Sequence, residues 1–583
     1  MRLKNILGIA LSVGCLLGSC SKENEPTSPP NNSEGTNEQP TTPATPATPA
    51  YPEIPNPDPT SRLLYNGISL PTVWPPTTST AYVTSGMTPN YLFNKPSVID
   101  ITIGRQLFVD DFLISQTSLK RNWHRAEYHP SSPVLVPEKE WELNGKGGGS
   151  AAPFSDGVWY DETDNKFKMW YMAAGGSYGG GNMVTCYAES ADGINWTRPS
   201  LNVVAGTNIV HSGKNRDSNT VWLDKNAANE YERYKMFQSS DGAGNWKYHY
   251  YTSSDGKAWR EVNESKSIAD RSTVFKNPFR GVWVWSLRHN VRVNSATLIR
   301  GRDYMENADA TAGNKLAEAD LQRFWFGAWP SEPTHPVYTD VQPAIYNLDA
   351  IGYESVMLGI FSVWSGPEND VCSADGVIKR NQLLLGYSRD GWNWYREDFV
   401  PFCPVSDDKS AWNNGNIQSA VGSPIIVGDK LYFYMSGRHF SSTGQEIVST
   451  GLATLRRDGF ASMSGTGEIL TEPLKFSGEY FFVNAAIKGS LTVEIQDEKG
   501  TPITGFTKSD CVSVTGDGTC KQVKWKNNET LSSLKGRTIR VKFFVNDGDL
   551  YAFWITPFEK GNSFGYTAGG GPGLYKLGID APY

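Results

Sequence analysis

A turn of the form Ser-x-Asp-Gly-x-x-Trp recurs along this chain. It reads Ser190-Ala191-Asp192-Gly193-Ile194-Asn195-Trp196, then Ser253-Ser254-Asp255-Gly256-Lys257-Ala258-Trp259, then Ser388-Arg389-Asp390-Gly391-Trp392-Asn393-Trp394, with a degenerate copy at Arg456-Arg457-Asp458-Gly459-Phe460. Asp-Gly suits a tight reversal, because glycine accepts positive φ and the aspartate bonds back to the backbone. Pairs of apolar strands accompany the turns: Gly157–Tyr160 with Phe167–Met172, Thr220–Leu223 with Tyr234–Gln238, Thr273–Phe275 with Val282–Leu287, Ala344–Tyr346 with Val356–Phe361, and Ala420–Val427 with Leu431–Met435. Five four-strand units at intervals of about 50 to 80 residues predict an all-β chain with a five-bladed β-propeller. Recurrence at the outer edge of the blades makes the turn a structural device, and no chemistry is assigned to it.

Arg105–Leu113 precedes the first blade and is expected to supply an edge strand or a clasp. Residues 302–340 read as an insertion, with a short helix within Gly313–Phe326; Trp325, Phe326 and Trp329 either wall the pocket or pack on the propeller side. From about Leu470 the pattern changes to alternating strands with Pro/Gly turns, which predicts a small β-sandwich. The catalytic propeller with its clasp is therefore placed at 61–465 and the sandwich with its tail at 466–583. The tail beyond Phe558 is glycine-rich and shows no readable period.

Residues 1–19 read as a signal peptide: Arg2 and Lys4 precede an apolar core, Ile6 to Leu17, too short to span a bilayer. Leu17-Gly18-Ser19-Cys20 resembles the lipobox of bacterial lipoproteins, which implies diacylation of Cys20 and export to the outer membrane, on its surface or periplasmic face. Residues 20–60 are rich in Pro, Thr, Asn and Ser, as expected of an extended tether. A net charge of −7 argues against a nucleic-acid partner. Cys511 and Cys520 flank Thr-Gly-Asp-Gly-Thr and are candidates for a hairpin disulfide, as are Cys372 and Cys403 for a second, with Cys186 left over and buried. Neither a CxxC pair nor clustered histidine points to a metal, and no cofactor is expected.

In a propeller the first strand of each blade delivers its opening residues to one face of the central channel. That position holds Ser155-Asp156, Arg216-Asp217-Ser218-Asn219, Asp270-Arg271-Ser272, Gln342 with Tyr353-Glu354 opening the next strand, and Asn416 with Gln418. Arg288-His289 and Arg438-His439 follow second strands, where either pair binds a substrate carboxylate or sulfate or bonds within strand-end loops.

Residues of about 100–460 resemble the five-bladed glycoside hydrolases of families 32 and 43, through Ala126-Glu127-Tyr128-His129-Pro130, Pro133-Val134-Leu135 and Lys166-Phe167-Lys168-Met169-Trp170-Tyr171, which read like their blade-one segments. The resemblance implies Asp156 as nucleophile or general base, Asp270 as the residue that holds the sugar and tunes the acid, and Glu354 as general acid. Asp217, Arg271, Gln342, Gln418, Arg288 and His289 would bind substrate. The family 32 Trp-x-Asn-Asp-Pro-Asn-Gly signature does not surround Asp156, which leaves Asp217 as its alternative. Such chemistry needs one carboxylic acid to protonate the leaving oxygen and one carboxylate on the opposite sugar face. The expected activity is hydrolysis of an oligo- or polysaccharide. A non-catalytic surface glycan-binding protein and a glycoside phosphorylase of the same architecture are the alternatives.

Overall fold

The computed structural model describes residues 57–77, 88–242, 245–292, 298–316, 321–396 and 398–582. The signal peptide, Cys20 and nearly all of the tether lie outside the described residues. The described chain is mostly β-sheet; its α-helices are Asn90–Phe93 and Asn369–Asp375, both short.

Five antiparallel meanders follow one another. Their first strands are Gly149–Asp161, Asn215–Leu223, Thr273–Asn277, Ala344–Glu354, and Asn416–Ser419 continued by Ile425–Val427. These strands touch in sequence. Trp159 Nε1 donates to the Val221 carbonyl (2.8 Å), Ser218 Oγ to that of Ser272 (3.0 Å), and Thr273 Oγ1 to that of Leu348 (2.6 Å). Ser419 Oγ donates to Asp349 Oδ2 (2.5 Å), and the Val421 N–H returns to the Ser155 carbonyl (3.0 Å).

The repeated turn is built alike each time. In its first copy Ser190 Oγ receives the Gly193 N–H, and Asp192 Oδ1 receives those of Ile194 and Asn195; the copies at Ser253 and Ser388 repeat the pattern. Each turn docks on the meander before it. Trp170 Nε1 donates to the Gly256 carbonyl (2.6 Å), Trp325 Nε1 to that of Trp392 (2.8 Å), and the Tyr353 hydroxyl to Asp458 (2.6 Å). The first turn docks on the fifth meander, where the Tyr434 hydroxyl donates to the Gly193 carbonyl (2.6 Å).

The segment 126–135, which resembles a blade-one sequence, lies along the last strand of the fifth meander, Glu446–Arg456, where Glu127 and Tyr128 pair with Thr454 and Ala453. The stretch read as an insertion completes the third meander: Leu298–Asn307 and Arg323–Phe326 are its outer strands, and a 3₁₀ turn at Ala310–Lys315 replaces the expected helix. Trp325 is buried against Tyr304, Trp392 and Trp394, and Phe326 against Phe361, so these aromatics seal two meanders together.

Beyond the meanders stands one hydrogen-bonded seven-stranded sheet whose long strands fold back on themselves: Phe543 and Phe553, ten residues apart on one strand, lie 5.2 Å apart between ring centroids, and Phe481 lies 6.2 Å from Phe543. Its long strands Tyr480–Gln496 and Arg540–Thr556 run between Val514–Val523 and Ala461–Thr471. Gln106–Leu107 pairs with Arg540–Thr556, and Ile114–Thr117 and Lys120–Trp123 pair with Ala461–Thr471, which covers that side of the sheet. The expected clasp thus packs Phe108, Phe112 and Leu113 into the same core as Phe481, Phe543 and Phe553.

The expected disulfides are absent: Cys372, Cys403, Cys511 and Cys520 are free, and so is the buried Cys186. The Thr-Gly-Asp-Gly-Thr stretch lies within the strand Val514–Val523 and makes no hairpin turn. Cys511 pairs instead with Trp525, and its Sγ accepts the Val493 N–H (3.2 Å), while Cys520 is exposed.

The glycine-rich tail crosses the end at which the first strands finish. Its Gly569 carbonyl accepts the Tyr160 N–H (2.9 Å), its Gly570 carbonyl the Ile426 N–H (2.8 Å), and its Leu577 carbonyl Asn226 Nδ2 (3.1 Å). Tyr566 donates to the Pro278 carbonyl (3.1 Å), and Tyr566-Thr567 pair with Glu354-Tyr353. All five meanders are touched. A Cβ on Gly569 would sit 1.9 Å from the Gly422 carbonyl oxygen, so only glycine allows this approach.

Candidate functional site

The opening residues of the first strands converge at the opposite end. Register irregularities recur there, at Ala152/Gly157, Arg216/Asn219 and Ile345/Asn347. Ser155 (φ 69°) and Arg271 (φ 53°) adopt the left-handed conformation, which non-glycine residues hold only when their surroundings impose it. Bulges of this kind re-aim side chains, and here they aim polar ones inward.

Asp217 and Asp270 flank Arg271: Asp217 Oδ1 accepts the Arg271 N–H (2.9 Å), and Asp270 pairs with Arg288. Both carboxylates are partly exposed. Asp156 is fully buried behind them, gripped by both terminal nitrogens of Arg216 (2.8 and 2.9 Å) and by the Phe154 N–H (3.0 Å). A carboxylate with both oxygens so engaged serves better as an anchor than as a nucleophile.

Glu354 is not in this group, a correction to its expected role. It ends its strand five residues beyond Asp349, roughly 16 Å along an extended backbone. It lies at the tail-covered end, where Arg105 (Nε 3.6 Å) and Arg457 (3.2 Å) pair with it and Ser563 Oγ donates to it (2.6 Å). Burial raises its carboxyl against the pull of both arginines.

The fourth meander instead contributes Asp349, which the sequence reading passed over. It is buried, takes hydrogen bonds at Oδ2 from Ser419, Ser155 (3.2 Å) and Asn347 (3.2 Å), and leaves Oδ1 without a partner. Burial raises its carboxyl, against those hydrogen bonds and Arg271. The strand Ala344–Glu354 is longer than the expected Ala344–Tyr346, and period-two alternation carried on from Asn347 to Asp349 is the signal that points to it.

The remaining expected residues separate. Gln418 is buried, with Oε1 unpartnered, whereas Gln342 is exposed in the loop before its strand. His289 lies on the other face of its strand from Arg288; Asp303 (2.9 Å), opposed by burial, raises it. Amide oxygens of Asn219, Gln238 and Asn381 are likewise buried without a partner.

Phe154 and Tyr346 carry the cations. The Arg271 guanidinium lies 3.8 Å from the Phe154 centroid and 5.6 Å from that of Tyr346; Arg438 lies 5.5 Å from Phe154, and Arg300 and Lys379 lie 4.5 and 5.9 Å from Tyr346. Burial, with Arg271 and Arg300 close by, pulls Arg302 down to about 9.

A metal has one possible ligand set among the described residues, His249, Glu261 and Glu264, on the outer strands of the second meander. Lys214 and Lys247 already neutralise its glutamates (3.3 and 2.5 Å), so the group is an ion-pair cluster.

No family model and no curated protein matches the chain. Solved structures similar to it are of glycoside-hydrolase fold. One is β-fructofuranosidase from Schwanniomyces occidentalis complexed with fructosyl-erythritol (9% identity, TM-score 0.35, 73% of this chain and 99% of that one). Another is a family 117 glycoside hydrolase produced by the marine bacterium Zobellia galactanivorans (9% identity, TM-score 0.31, 58% and 90%). A third belongs to the GH130 family of mannoside phosphorylases, which contains glycoside hydrolases that target β-1,2 mannosidic linkages in Candida mannan (13% identity, TM-score 0.32, 60% and 96%). Likenesses this distant leave function to be argued from the site.

Proposed function

We propose that this chain is a glycoside hydrolase, a five-bladed β-propeller exported and lipid-anchored through Cys20, that cleaves its glycan where the first strands begin. The observation that carries the reading is the meeting there of carboxylates from three meanders, Asp217, Asp270 and Asp349, in contrasting surroundings. Asp217 accepts the Arg271 N–H and Asp270 pairs with Arg288, whereas Asp349 is buried and burial raises its carboxyl. Carboxyl groups in such contrasting surroundings divide into acid and base. Asp349 then donates to the leaving oxygen, while Asp217 or Asp270 attacks or activates water on the other sugar face. The unpartnered amide oxygens suit sugar hydroxyls, which donate hydrogen bonds.

The test is a screen of plant, algal and host glycans with protein lacking residues 1–20, reading released sugars by NMR. Asp217→Asn, Asp270→Asn and Asp349→Asn should each lower turnover about 100-fold or more with the fold intact by circular dichroism. Full activity in all three variants would overturn the assignment. Binding without any released product would make the chain a glycan-binding protein instead.

A further inference from the structure

Arg271 presents an unusual combination: it is 1% exposed, yet none of its three side-chain nitrogens has a hydrogen-bond partner among the described residues. A buried guanidinium is otherwise paired, because it carries five donors and a permanent charge. Nearby, Arg300 is partly buried with Nη1 unpartnered and no carboxylate within ion-pair distance among the described residues. Lys379, 5.9 Å from the Tyr346 ring, makes no ion pair with a carboxylate among the described residues. Asp270 and Glu446 make their ion pairs with Arg288 and Arg438. The excess of positive charge is local, since the whole chain carries −7.

We propose that Arg271, Arg300 and Lys379 form an oxyanion subsite, and that the glycan taken by this site carries a carboxylate or sulfate group. The proposal rests on the glycosidase reading for the neighbouring carboxylates. Phe154 and Tyr346 support the guanidiniums from their ring faces and leave the N–H edges to the anion. Arginine's fork matches a planar carboxylate or two sulfate oxygens, and the pair gains strength where water is excluded.

Calorimetry on the protein lacking residues 1–20 would compare methyl glucuronide, methyl galacturonide and galactose 6-sulfate with their neutral counterparts, and with inorganic phosphate. The expected result is at least tenfold tighter binding of the charged sugars, weakening as salt is raised. Arg300→Gln and Lys379→Gln should each remove most of that difference; Arg271→Lys, which keeps the charge, should retain part of it. If phosphate binds equally well and the product becomes a sugar phosphate, free phosphate is the source of the oxyanion and the subsite stands. Equal binding of neutral and charged sugars, with no phosphate binding, overturns it. Should neutral glycans be turned over and Asp270→Asn abolish that turnover, only the oxyanion subsite fails; charged sugars bound tightly, with turnover indifferent to the aspartates, would sink only the catalytic reading.

Discussion

Glu354 shows what a buried carboxylate does when it is not catalytic. With Asp458 and Asp580 it balances Arg105 and Arg457, and Arg105 also stacks 4.1 Å over Trp554. Burial would raise Asp458, but Arg105 and Arg457 outweigh it and hold that carboxyl low. Glu354→Ala leaves two guanidiniums without one of their counter-charges and should destabilise the protein by about 3–5 kcal/mol in urea unfolding. Glu354→Gln should lower stability less and leave turnover unchanged. His211, edge-on to Tyr251, is depressed to about 4, first by burial and then by Arg216 and Lys214. Its folded value lies below the unfolded ~6.5, so its contribution is complete above pH 6.5 and is lost as pH falls towards 4. The stability difference between wild type and His211→Phe should shift by up to about 3 kcal/mol across that window. At this scale the sequence was partly legible. Asp217, Asp270 and Arg271 stand where strand openings predict, because each lies a few residues before an apolar run. Glu354 was misplaced because nothing local marks the length of its strand.

The repeated turn was the most legible element, since Ser, Asp and Gly each have one backbone task in it and perform it in the three full copies. What the repeat does not encode is the neighbour it docks on. Gly256 has φ 73°, and a Cβ there would meet the Trp170 ring at 2.4 Å. Gly256→Ala should therefore destabilise by about 2–4 kcal/mol, against about 1 kcal/mol or less for Gly206→Ala, whose Cβ would meet nothing within 4 Å. Thermal denaturation of the two variants makes the comparison, and equal losses would refute the docking argument. The seventeen-residue strands of the final sheet were legible from their alternation, but the partners along their edges were not. Those arrive from residues 106–123, more than 300 positions away, through backbone pairing that carries no side-chain signature.

Across the whole molecule, the two ends of the first strands have opposite fates. One gathers carboxylates, arginines and unpartnered amides; the other is roofed by the tail. Removing residues 559–583 should expose Trp159, Trp222 and Ile351, detach Asp580 from Arg457, and lower the midpoint of thermal unfolding measurably. The stretch 569–577 was unreadable in the sequence because its contacts with the first strands are made by backbone carbonyls and bare glycines.

That roof also orders events in time. The tail leaves the ribosome after all five meanders, yet it touches every one of them, the first of which was made about 400 residues earlier. A nascent chain therefore carries an unroofed core until the tail has been made. A premature stop just before residue 559 would leave the proposed catalytic residues in place, but on a protein that never completes its fold and is exposed to proteases.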